Sequence, residues 1–148
     1  MRRVVILESQ ESASQELCNM CADNSLVCKL LVRDGGVPAL VEALRFSSSL
    51  RSQRNIATTL FNLSTDHDGQ EAMIACKAER PLCTICSRHD EMAIARTSCL
   101  GVLANITTLP HGCAQVIAAG ALDLCLDGIE CGMQRAEVHA ARCLANMS

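Results

Sequence analysis

Aromatic residues are nearly absent from this sequence of 148 residues: there is no Trp, no Tyr and only two Phe. Without stacking side chains, a platform for single-stranded nucleic acid is not expected. Long hydrophobic runs are also missing, which excludes a membrane-spanning helix of ordinary length. Charge of one sign does not dominate, since the net charge is −3. That excludes a global cationic field for nucleic acid or an anionic membrane surface. There is no glycine-rich phosphate loop and no recognisable Ser/His/Asp or Cys/His arrangement, so catalysis is not expected. What the chain does have is apolar mass, 49% of residues, and eleven cysteines. The apolar share is too high for disorder, and the length suits one domain.

The cysteines do not read as a disulfide framework. Their number is odd, and most stand where a small buried hydrophobe belongs. The start, Met1 to Leu7, is basic and then apolar, but Glu8 ends the run short of a signal-peptide core. A reducing cytoplasm, or the nucleus, is the expected compartment. Cys18-x-x-Cys21 and Cys83-x-x-Cys86 have the spacing of zinc half-sites. Other copies of the pattern described next carry Ser64, Thr107 and Ser148 in place of Cys21. A column of small packing residues explains this better than zinc or redox chemistry, and neither metal nor cofactor is expected.

That pattern is a repeat. Leu17-Cys18-Asn19-Met20-Cys21, Leu60-Phe61-Asn62-Leu63-Ser64, Leu103-Ala104-Asn105-Ile106-Thr107 and Leu144-Ala145-Asn146-Met147-Ser148 align on their asparagines, which are spaced by 43, 43 and 41 residues. Apolar or small residues recur six, five and two positions before each Asn and one after it, which is one stripe of a helix. A junction precedes each complete copy by 26 residues, at Gly36-Val37-Pro38, Glu79-Arg80-Pro81 and Gly120-Ala121-Leu122.

Each period therefore holds three helices. A short one precedes the junction (Ser25–Arg33, Gln70–Lys77, His111–Ala119) and a second follows it. A longer third helix carries the Asn (Glu8–Cys21, Leu50–Ser64, Glu91–Thr107, Met133–Met147). Asp66 to Gly69, His89-Asp90 and Gly132 are the expected breakers. Cut at the junctions, the chain is a single domain with units at 1–35 (partial), 36–78, 79–119 and 120–148 (partial).

A period of about 42 residues with three helices lies in the armadillo range. On the four Leu-x-Asn blocks and Gly36-Val37-Pro38-Ala39-Leu40, the chain resembles the armadillo-repeat family, which includes importin alpha, beta-catenin and the vacuolar armadillo adaptors. The resemblance implies an all-α fold, a right-handed α-solenoid whose third helices line a concave groove. It also implies a non-catalytic scaffold that binds an extended peptide, with Asn19, Asn62, Asn105 and Asn146 holding the ligand's main chain. Importin alpha has Trp four residues before the Asn. Here those positions are Gln15, Thr58, Gly101 and Arg142, so a slot for lysine stems, and nuclear-import cargo, are not expected.

Read back along the same helix face, the groove should carry Asn55, Thr58, Arg51 and Arg54 in the second copy, Ser98 and Arg96 in the third, and Arg135, His139 and Arg142 in the fourth. It grows more basic toward the carboxyl end, so an acidic segment on the protein or peptide partner is expected. A second reading is assembly: end units that expose Leu144 and Met147 would support end-to-end homo-oligomers or a longer array.

Overall fold

The computed structural model describes residues 2–88 and 93–148, with side chains from Leu7 onward. Among them the chain forms helices and no strand. In order these are α1 (Arg2–Cys21), α2 (Ser25–Arg33), α3 (Gly36–Phe46), α4 (Leu50–Leu63), α5 (His67–Ala75), α6 (Glu79–Cys86), α7 (Ala93–Ile106), α8 (Pro110–Ala118), α9 (Ala121–Ile129) and α10 (Gln134–Met147). Three successive triplets, α2–α4, α5–α7 and α8–α10, follow α1, which takes the place of a third helix. His89-Asp90, expected as a breaker, and Glu91, expected to open a third helix, lie outside the described residues.

The long helices stack in series, α1 on α4, α4 on α7 and α7 on α10, while α3, α6 and α9 each lie against the long helix of their own triplet. The recurring stripe is why. Ile56, Ala57, Leu60 and Leu63 of α4, and Cys99, Leu100, Leu103 and Ile106 of α7, are all at most 5% exposed. A single triplet cannot bury that stripe, so each borrows the face of its neighbour. Helix α7 sits mid-stack, and from Cys99 to Ile106 every residue is buried, so that half is apolar almost all round.

Local chemistry sets the helix ends. The Asn24 side chain caps α2 by accepting from the Val27 N–H at 3.2 Å, and the Ser49 hydroxyl caps α4 by accepting from Ser52 at 3.2 Å. Pro110 opens α8, where a missing N–H costs nothing. Between the short and second helices the backbone turns left-handed at Gly35, Lys77 and Gly120. This corrects the junction read from sequence. The turn stands 27, 28 and 26 residues before its Asn, so the stretch from junction to Asn is not of constant length. Lys77 occupies a conformation suited to glycine, which is why the sequence signal misplaced that junction by two residues. Among the described residues no single helix is long and apolar enough to cross a membrane.

Candidate functional site

Stacking brings the exposed edges of α4, α7 and α10 side by side. Between them lies a cleft of about 450 Å³ lined by Thr58, Phe61 and Asn62 of α4, Ile94, Thr97 and Ser98 of α7, and Gln134, Arg135 and His139 of α10, with Met133 at the rim. One period separates each contribution from the next. Thr58 and Ser98, expected from sequence, share a hydrogen bond at 3.3 Å across the first step.

The floor is aromatic. The His139 ring meets the edge of Phe61 with centroids 5.3 Å apart. Gly101 makes this approach possible: a Cβ there would lie 2.6 Å from two Phe61 ring carbons. Burial, then the neighbouring Arg142 and Arg135, hold the His139 imidazole below the usual histidine range. Its Nδ1 is buried without a hydrogen-bond partner among the described residues. The ring is therefore neutral near pH 7. No carboxylate lines the cleft, and Arg135 is its one charged side chain among the described residues.

The four asparagines do not play one part. Asn62 is half-buried and borders both this cleft and a second one beside Asp23, Ser25 and Asp66. Its side-chain amide has no partner among the described residues. Asn19 is exposed and accepts from Gln15 Nε2 at 3.0 Å. Asn105, in contrast, is buried: its Nδ2 donates to Ser64 Oγ at 2.8 Å, and its Oδ1 accepts from Arg142 Nη2 at 3.0 Å. Asn146 donates to the Ala104 carbonyl and to Thr107 Oγ1, both at 3.1 Å. The expectation of four amides open to a shared groove thus needs correction for two of them. Asn105 and Asn146 spend their donors between triplets, because their neighbours present small hydroxyl residues at the matching height.

The arginines separate in the same way. Arg135 lines the cleft, and Arg142 reaches back to Asn105. Arg51 is exposed and Arg54 half-buried, both outside the cleft. Arg96 is a correction: it is 7% exposed, with Nε and Nη2 lacking partners among the described residues, and it faces the interior. Asn55 is also interior, donating to Ser14 Oγ at 3.3 Å. Phe61 was not among the residues singled out from sequence. Its place one residue before an Asn carried the signal, since the other copies have Cys18, Ala104 and Ala145 there.

Three stacked triplets with a cleft across their long helices define an α-solenoid. The Armadillo/beta-catenin-like repeat model matches residues 24–65, which is α2, α3 and α4 with their caps. An engineered protein of known structure superposes with a TM-score of 0.79 at 26% identity, over 94% of this chain and 57% of its own. A designed armadillo repeat protein aligns with a TM-score of 0.79 at 20% identity, over 92% and 57%. Another designed armadillo repeat protein, solved in complex with the peptide (KR)4, aligns with a TM-score of 0.77 at 19% identity, over 91% and 56%. The chain spans between a third and three-fifths of the length of the solved chains it matches. No curated protein matches. Residues 24–65 thus match an armadillo repeat, and the chain as a whole has the fold of the armadillo-repeat solenoids.

Proposed function

We propose that this protein is a non-catalytic scaffold of the cytoplasm or nucleus that binds an extended segment of a protein partner along α4, α7 and α10. One observation carries the reading: the cleft joins polar side chains from two repeats, Asn62 of α4 and Arg135 of α10, neither of them paired among the described residues, on either side of Ser98 of α7 and around the Phe61 ring. An extended strand repeats its N–H and C=O groups at regular intervals, and an amide can serve both. Asn62 is the main-chain clamp. The likeness in fold to a designed relative that holds a peptide supports the same use of the groove here.

The ligand's selectivity comes from Arg135. With no carboxylate among the described residues of the cleft, an Asp or Glu of the ligand gains a charge-assisted pair that a Lys or Arg cannot. The test is fluorescence anisotropy with labelled eight-residue peptides, one set rich in Asp and Glu and a matched set rich in Lys and Arg. Acidic peptides should bind, and Asn62→Ala and Arg135→Ala should each weaken them about tenfold, equivalent to about 1.4 kcal/mol, without changing helical circular dichroism. Preference for the basic set, or affinity untouched by both substitutions, would remove the site.

A further inference from the structure

Three positions of the repeat break their own pattern, and all three do so at the cleft between α4, α7 and α10. One residue before the Asn, the other copies carry Cys18, Ala104 and Ala145, but α4 carries Phe61. Four before it stand Gln15, Thr58 and Arg142, but α7 has Gly101, whose missing side chain leaves room for the Phe61 ring. Eleven before it stand Glu8, Arg51 and Arg135, all charged, but α7 has Ile94, which is 56% exposed.

A lone exposed isoleucine needs no explanation. Here it stands in an otherwise charged column, beside a phenylalanine in a column of small residues, with a glycine clearing space for the ring. The result is an apolar wall: Phe61 of α4 and Ile94 of α7 line the cleft together, with Met133 at its rim. Arg135 lines the same cleft and meets no carboxylate there among the described residues. An apolar wall and one cation thus share about 450 Å³, which is room for two side chains of a ligand.

The side chains of an extended segment alternate between faces. Those at i and i+2 point the same way, about 6.5 Å apart, whereas those at i and i+1 point apart. We infer that the groove selects an extended segment of another protein in which an apolar and an acidic residue stand two positions apart. The apolar side chain packs on Phe61 and Ile94, and the carboxylate pairs with Arg135. This rests on the groove reading above and narrows it, since acidity without the apolar neighbour leaves the wall uncovered.

Three labelled eight-residue peptides, otherwise of glycine and serine, test this by fluorescence anisotropy with the whole chain. The first carries one leucine and one glutamate two positions apart, and is made in both orders. The second carries the same two residues side by side, and the third has serine in place of leucine. In at least one order the first peptide should bind about tenfold more tightly than the second and third. Ile94→Ser should erase that advantage. Because Ile94 is exposed, the variant should keep the thermal midpoint of the parent, which is checked alongside.

Equal affinity of all the peptides, each still weakened by Asn62→Ala and Arg135→Ala, would overturn the inference and leave the groove reading standing. An advantage that survives Ile94→Ser would overturn it as well. Failure of every peptide to bind up to about 1 mM would do the same, and the acid-rich set above then decides the groove reading by itself. Concentration-dependent sedimentation of the chain alone that Ile94→Ser abolishes would also overturn it, since a second copy would then cover the wall.

Discussion

Asn62 and Asn105 share a motif and a helix position, yet their amides do different work. Burial separates them. Asn105 is enclosed by α10 and bonded to Ser64 and Arg142, whereas Asn62 borders open space. Removing a buried amide leaves partners unsatisfied and costs about 1–3 kcal/mol. Asn105→Ala should therefore lower the unfolding free energy from urea melts by that amount, while Asn62→Ala leaves it within experimental error. Equal effects on stability would mean that Asn105 is not the link between triplets that its hydrogen bonds describe. The Asn column itself was plain in the sequence. Which amide is free was not, because that depends on residues 37 to 42 positions away, such as Ser64 and Arg142.

At the level of the helix, the turn between short and second helices shows sequence and structure in partial agreement. Gly35 and Gly120 announce it, and the backbone there is left-handed, as glycine allows without a steric penalty. The middle unit uses Lys77 at φ 57°, closed by a hydrogen bond from the Ala78 N–H to the Met73 carbonyl at 3.0 Å. That closure is the wide ring that ends many helices at a left-handed residue. A side chain in this conformation costs on the order of 1 kcal/mol. Lys77→Gly should raise unfolding free energy by about 0.5–1 kcal/mol in urea melts, with ligand binding unaffected. A loss of stability would show that the Lys77 side chain contributes more than its backbone costs.

Across the whole molecule, the cysteines follow the stacking. All eleven are free; Cys21, Cys83, Cys86, Cys99, Cys125 and Cys143 are buried, and the other five are half-buried. Five of the buried six, all but Cys21, lie where α6, α7, α9 and α10 meet, and small thiols let those helices approach closely. Burial pushes Cys83 up to about 12, and a hydrogen bond with Cys99, then burial, raises Cys86 well above the ordinary thiol range. Thiolate, the reactive form, is scarce at such sites. Titration with Ellman's reagent should find at most five reactive thiols in the native protein and eleven after denaturation. Rapid native reaction of more than five would show that the stack opens far more readily than its packing implies.

The period, the three helices in it and the apolar stripe were legible in the residues alone, because helical spacing and turn chemistry are local properties of the chain. Neighbours are not local. Second-helix positions that are buried in α3 (Val37, Val41, Leu44) and in α6 (Glu79, Cys83, Cys86) correspond to Leu122, Leu126 and Ile129 in α9, which stand 41–51% exposed. The side chains at the end of the stack are the more apolar set, yet they meet solvent. Packing along the solenoid axis, not residue type, sets which stripe is covered and which amide is free.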